Sequence, residues 1–359
     1  MYLLDVLIPT YGRPKNAKKA IDSCLDSNDD RCQVICNSNG YEHALECYRA
    51  SNKNIIYSNF DENQGPTINF SYLLNKTTAK YCMLLSDEDY LDASLLKNFL
   101  DYLEGLDSSV SVISCSVFSE ESNSYFYSPK IYSDNGMADI NEALMLLSIP
   151  SYMSGYVFTT SKLKSINLKE IMNPSIANAY PHINITHELL HKGRLSVYKE
   201  LCVIKGKDVQ YGGDAYSHKS NLKQEKKVNN LDMNPYVYGP KALVRQFYYL
   251  EKKLYESKKY MRVMPYISAV LLRMFVMHNS IINSDRLVIL EMNTTIESEL
   301  VMGIIDAKNS RDFSGSFFSN FFKYIFYLNP FFVKILYKVI KIIIINIGRI
   351  EVKINSGKI

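Results

Sequence analysis

Apolar positions in the first third of the chain come in short unbroken runs, alternating with stretches where they recur every three to four residues. Residues 3–8 read as a buried strand, and residues 15–25, after the Arg13-Pro14 turn, as a helix. A second strand covers residues 33–36 and stops at Asn37-Ser38-Asn39-Gly40; a helix at 42–50 and a third strand at 54–57 follow. Beyond the Asn63-Gln64-Gly65-Pro66 turn, residues 67–74 predict a helix. Residues 81–85 then form a strand that runs straight into Ser86-Asp87-Glu88-Asp89. A helix at 93–103 and a strand at 110–118 complete the pattern. Strands and helices joined by short links predict an α/β fold with a mostly parallel sheet, which binds ligands beyond the carboxyl ends of its strands. Each polar cluster named here falls at such an end.

The pattern changes further on. Residues 217–230 are polar and lysine-rich, as in a loop or linker, and residues 236–290 carry helical spacing, clearest at 243–254 and 266–275. Residues 317–327 are dense in aromatics, and residues 331–347 are almost wholly apolar apart from Lys334, Lys338 and Lys341. A membrane-spanning helix needs about 20 largely apolar residues, and these lysines interrupt the run. On a helix they share one narrow face, away from Phe332, Ile335, Ile342 and Ile343. That arrangement predicts a helix lying on a membrane surface, with ammonium groups near anionic phosphates, and Asn329-Pro330 breaks the tail in two. A hairpin packed on the protein, or a contact between two copies in a homo-oligomer, is the alternative. The expected organisation is an α/β domain at 1–220, a helical region at 221–312 and an amphipathic membrane-associating tail at 313–359.

Composition narrows the function. Forty-one basic and 37 acidic residues leave a net charge of +4, too balanced for nucleic-acid binding by bulk electrostatics. The seven cysteines form no CxxC pair and several lie in predicted elements, which fits buried free thiols in a reducing compartment. The first apolar run ends at Pro9, too short for a signal peptide, so a cytosolic site is expected.

The acidic triplet carries the chemistry. In an extended chain Asp87 and Asp89 point the same way, and two hard oxygen donors at that spacing suit Mn²⁺ or Mg²⁺. Such a cation neutralises a departing diphosphate. The plain alternative is a solvated turn, with Asp89 capping the next helix.

Three segments together resemble family 2 glycosyltransferases of the GT-A, Rossmann-like fold. Residues 3–14, ending Ile8-Pro9-Thr10-Tyr11-Gly12-Arg13-Pro14, look like that family's opening strand and loop. Asp61-Glu62-Asn63-Gln64-Gly65-Pro66, with Asn69 after it, resembles its Glu-Asn-x-Gly turn, and residues 81–91 resemble the strand bearing its metal-binding DxD. The resemblance implies that Pro9, Thr10, Tyr11 and Arg13 lie along a nucleotide-sugar, most simply a UDP-sugar, together with Asn63 and Gly65. It implies Asp87 near ribose and metal, and Asp89 as a direct metal ligand. One position departs: Asn37 stands where the family commonly has an Asp that contacts the base, so an acceptor-only carboxylate is missing.

For the acceptor side, residues 180–193 look like the family helix whose first turn carries the catalytic Asp; here His182 occupies that place and Pro181 precedes it. A histidine titrates near neutral pH and can take a hydroxyl proton. Glu188 is the competing base, and either residue can instead be an ordinary helix residue. His187 and His191 lack the surroundings of a metal pair and read as a solvated helix face. Residues 151–158 resemble the acceptor-side strand, with Gly155 allowing a sugar close, although Tyr152, Tyr156 and Phe158 also suit a packed strand. Lys205-Gly206-Lys207 through Gly213 reads as a loop over the diphosphate.

The expectation is a metal-dependent inverting transferase that moves a sugar to a glycan or lipid-linked glycan. Its setting is bacterial O-antigen or capsule synthesis, peripheral on the cytoplasmic face of the inner membrane. The alternatives are a membrane-associated nucleotide- or glycan-binding module without catalysis, and a nucleotidyltransferase.

Overall fold

The computed structural model describes residues 2–49, 54–64, 66–127, 137–138, 152–172 and 181–206. The expected regions 221–312 and 313–359, the 207–213 loop, and Gly65 lie outside the described residues. The elements are, in order, β1 Leu4–Thr10, α1 Pro14–Leu25, β2 Cys32–Ser38, a 3₁₀ helix His43–Arg49, β3 Ile55–Asn59 and α2 Pro66–Lys76. There follow β4 Tyr81–Leu84, β5 Tyr90–Leu91, α3 Ala93–Glu104, β6 Val110–Ser119, β7 Ser124–Tyr127, β8 Met137–Ala138 and β9 Tyr156–Thr159. The short helices α4 Thr160–Leu163 and α5 Leu168–Ile171 precede α6 Pro181–Leu190 and β10 Arg194–Lys205.

Each helix forms for a local reason. Pro14 opens α1, where its missing N–H costs nothing, and Ala17, Ala20, Ile21 and Cys24 give the buried stripe at helical spacing. In α3 the Asp92 side chain accepts from the Ser94 N–H, while Leu96, Phe99, Leu100 and Leu103 turn inward. These two stripes meet Leu4, Val6 and Ile8 of β1 and Val34 and Cys36 of β2 in one hydrophobic core. All of β2 and β4 is buried, as expected of central strands covered on both faces.

All ten strands join one sheet in the order β3-β2-β1-β4-β9-β6-β10-β5, with β7 on β6 and β8 on β10. The first four are parallel. The long strands β6 and β10 of the other half also pair parallel, while β9 runs antiparallel between β4 and β6, and the short strands β5, β7 and β8 pair antiparallel. A short apolar run looks the same in either direction, because direction is fixed by the return path of the chain. The predicted helix at 42–50 is a 3₁₀ turn, burying only Leu45 and Tyr48, a three-residue spacing that such a turn stacks on one side. The strand at 33–36 extends through Asn37 and Ser38, because β1 and β3 hydrogen-bond that segment from either side.

One polar fastener holds the foot of the parallel half. Asp5 is fully buried in β1, and its Oδ2 accepts from Thr77 Oγ1 at 2.8 Å, Thr78 N at 2.7 Å and Ala79 N at 2.9 Å. This fixes the α2–β4 turn and so the height at which β4 ends. Asp5→Ala leaves those donors unanswered and is expected to destabilise the domain by about 3 kcal/mol. Asp5→Asn, which keeps a carbonyl acceptor, should lose clearly less. Urea unfolding midpoints of the two variants check this; equal losses would show that the donors do not depend on an acceptor here.

Candidate active site

Strands β1, β2 and β4 end side by side, and their last residues build a polar ledge. Thr10 closes β1, Asn37 and Ser38 close β2, and the turn at 86–89 follows β4, closed by an Asp89 N–H bond to the Ser86 carbonyl at 3.0 Å. The three segments singled out in the sequence therefore share one sheet edge.

Asp87 is the centre of the ledge. Its Oδ2 accepts from Thr10 Oγ1 at 2.7 Å and from Arg13 Nε at 3.1 Å, and its Oδ1 faces Arg13 Nη2 at 2.6 Å. Arg13, the residue before α1, also pairs with Glu88 through Nη1. Asp89 is held from elsewhere: Ser154 Oγ donates to its Oδ2 and the Gly206 N–H to its Oδ1 at 3.3 Å. Both aspartates are almost wholly buried. Burial raises the pKa of Asp87, opposed chiefly by the charge of Arg13. Burial likewise raises that of Asp89, opposed by the Ser154 and Tyr152 side chains and the Gly206 N–H. Desolvated carboxylates resist ionisation unless positive charge is brought to them.

The donor set fits a hard divalent cation. Asp87 Oδ1 is buried and receives no hydrogen bond among the described residues, its partner being the Arg13 ion pair. Three successive carboxylates at one turn outnumber the single guanidinium that answers two of them. Among the described residues no group of three or more His, Cys, Asp and Glu is preassembled around a metal position. Water and phosphate oxygens would complete the shell, as is usual for Mg²⁺.

Asn37 is fully buried and committed to its own network. Its Nδ2 donates to Asn69 Oδ1 at 2.9 Å and its Oδ1 accepts from Ser58 Oγ at 2.7 Å, while Asn69 Nδ2 reaches the Asn37 carbonyl at 3.2 Å. Asn63 lies nearer the surface, accepting from Asn39 Nδ2 at 2.6 Å, and Asn39 Oδ1 takes the Gln64 N–H at 2.8 Å. The amides thus tie the β1, β2 and β3 ends to the turn before α2. Tyr11 is partly exposed beside Gly40, whose φ of +139° is a conformation that residues with a side chain rarely adopt. Pro9 pairs with Asn37 in the ladder.

On the other side, α6 runs down the sheet. Its His182 ring packs 5.4 Å from that of Tyr156, the first residue of β9 and two beyond Ser154, so His182 stands at the ledge end. Glu188 is six residues on, about 9 Å along the axis. It lies toward Gly193, whose absent side chain admits the Ser109 carbonyl at the opposite end of β6. His187 is buried, its ring 4.9 Å from that of the exposed His191, so the solvated face expected there holds for His191 and is corrected for His187. Gly155 has a φ of +88°, a conformation that residues with a side chain rarely adopt, and an added Cβ would meet Cys115 and Val203 at an ordinary contact distance of 3.4 Å. The buried Cys82 thiol is pushed up to about 12 and that of Cys36 higher still, in keeping with inert free thiols.

Sequence reasoning missed Ser154 as a site residue. It lies inside the segment at 151–158 noted for its aromatics and glycine, but nothing in the strand pattern marks one hydroxyl as a partner of Asp89, 65 residues earlier.

Residues 5–163 match the family described as Glycosyl transferase family 2. No curated protein sequence matches the chain. Among solved structures, S. aureus TarS 1-349 is similar at 12% identity, with a TM-score of 0.53 over 84% of this chain and 80% of that one. The same protein in complex with UDP-GlcNAc is similar at 16% identity, with a TM-score of 0.55 over the same shares. At such identities the structural likeness bears on fold, which is the GT-A arrangement; activity rests on the family match. That match covers less than half of the chain but lies across the three strand ends that build the ledge, and the protein is a glycosyltransferase.

Proposed function

We propose that the protein is an inverting, metal-dependent transferase that moves a sugar from a nucleoside-diphosphate sugar to a glycan hydroxyl. The observation that carries this reading is the joint grip of Thr10 and Arg13 on Asp87. It places a cationic side chain and a buried carboxylate where the three strand ends meet. The UDP-GlcNAc held by the similarly folded TarS 1-349 supports a UDP-sugar as donor. Pro9, Thr10, Tyr11, Arg13, Asn63 and Gly65 would line the donor, with Asn37 buried beneath them to set the β2 end. A Mn²⁺ or Mg²⁺ ion held by Asp87 and Asp89 would supply Lewis-acid neutralisation of the diphosphate. Arg13 shares that task from the protein side.

In the transfer, the acceptor oxygen bonds to the anomeric carbon as the bond to the diphosphate oxygen breaks, and the hydroxyl proton passes to a base. Placement favours His182, at the ledge end of α6, over Glu188, which lies farther down the helix. An acceptor carried on a lipid follows from the lysine-faced 313–359 segment. The setting that fits is O-antigen or capsule synthesis, peripheral on the cytoplasmic face of a bacterial inner membrane, with 1–220, 221–312 and 313–359 as its three parts. Among the described residues no helix is long and apolar enough to cross a membrane.

Three measurements test these points. A panel of nucleotide-sugars should show nucleotide release that EDTA abolishes and Mn²⁺ restores; Asp89→Ala with full Mn²⁺-dependent turnover would sink the metal assignment. His182→Ala should lower kcat by about 100-fold or more, whereas Glu188→Gln should retain most turnover. The reverse ranking would move the base to Glu188. Removal of residues 314–359 should release the protein from vesicles containing anionic lipid, and undiminished binding would exclude the tail as the anchor.

A further inference from the structure

The turn that bears the acidic residues is clasped from two distant parts of the chain, and the clasp converges on Asp89. Ser154 is buried, and its hydroxyl does two things at once: it donates to Asp89 Oδ2 and accepts the Ser86 N–H at 2.8 Å. One side chain therefore grips the first and last residues of the turn. Gly155 N donates to the Leu84 carbonyl at 3.1 Å, which registers this segment against the end of β4. From β10, the Gly206 N–H reaches Asp89 Oδ1, and a Cβ at Gly206 would fall 2.1 Å from the Glu88 carbonyl, so only glycine fits.

We propose that Ser154 is a positioning residue for the divalent cation, orienting Asp89 without touching the ion. This rests on the reading of Asp87 and Asp89 as the residues that hold it. An ionised carboxylate has about four lone-pair positions. Ser154 and Gly206 place one donor on each oxygen of Asp89, which leaves lone-pair positions for a cation. Donors on both oxygens prevent the carboxylate from rotating. A ligand already aimed spends little of its binding free energy on being ordered, and loss of such outer partners elsewhere costs about 10–100-fold in metal affinity.

The experiment is a Mn²⁺ titration of the full chain with saturating UDP, counting free ion by electron paramagnetic resonance. Ser154→Ala should bind Mn²⁺ about 10–100-fold more weakly than the wild type. Ser154→Thr, which keeps the hydroxyl, should recover most of the loss. In an Asp89→Ala background, Ser154→Ala should weaken Mn²⁺ no further; a full additional loss would mean a general loosening of the turn and would overturn the proposal. Wild-type affinity in the single Ser154→Ala variant would overturn it directly. If the wild type itself takes up no Mn²⁺, the metal reading falls first, a result separate from failure of the positioning role.

Discussion

Two carboxylates buried at the end of one strand are the constraint around which this domain is arranged. Removing an ionised group from water is expensive, and Asp87 and Asp89 show it in the upward pull that burial exerts on both. Each is reconciled with its position by a different part of the chain. Asp87 is answered by Thr10 and Arg13, which fixes the β1 loop and the start of α1. Asp89 is answered by Ser154 and Gly206, which fixes the approach to β9 and the end of β10.

Amides perform the corresponding task on the nucleotide side. Asn37, Asn39 and Asn69 each donate to one neighbour and accept from another, with Ser58 as a donor and Asn63 and the Thr10 carbonyl as acceptors at the margins. A carboxylate at position 37 could accept from Ser58 and Asn69 only if Asn69 reversed its amide, and Asn69 Nδ2 already serves the Asn37 carbonyl. The substitution of Asn for the family's Asp is thus compatible with the network as built, and its neutral charge spares the buried β2 end a third ionised group close to Asp87.

The donor half was largely legible in the sequence because it depends on neighbours in the chain. Hydrophobic runs located β1, β2, β4 and β6, helical spacing located α1 and α3, and the ordered motifs brought Thr10, Arg13 and Asp87 to one edge. What escaped depends on contacts across long separations. Strand direction for β9 is one example, since a four-residue apolar run has no polarity of its own. The inward turn of His187 is another, because burial of α6 comes from the elements packed on it and its own pattern is polar. Ser154 escaped for the same reason: it lies in the turn before β9, and its partner lies on a segment whose distance only the folded sheet sets.

These two kinds of legibility divide the enzyme. The family match ends at residue 163, within the β9–α4 region, and the donor-side contacts described here lie inside it apart from Gly206. The segment proposed to activate the acceptor, α6, begins beyond that limit. Donor handling is constrained by a chemistry common to many sugar transfers: a diphosphate must be neutralised as it leaves, and a narrow set of carboxylate and guanidinium placements achieves that. Acceptor activation requires only that some base reach a hydroxyl whose position varies with the acceptor. The proposed base His182, its ring 5.4 Å from that of Tyr156, would meet that looser requirement from a different residue type. On that proposal, the absence of the usual acid from the first turn of α6 is compatible with a working transferase, because the divergent residue lies in the half that chemistry leaves free to vary.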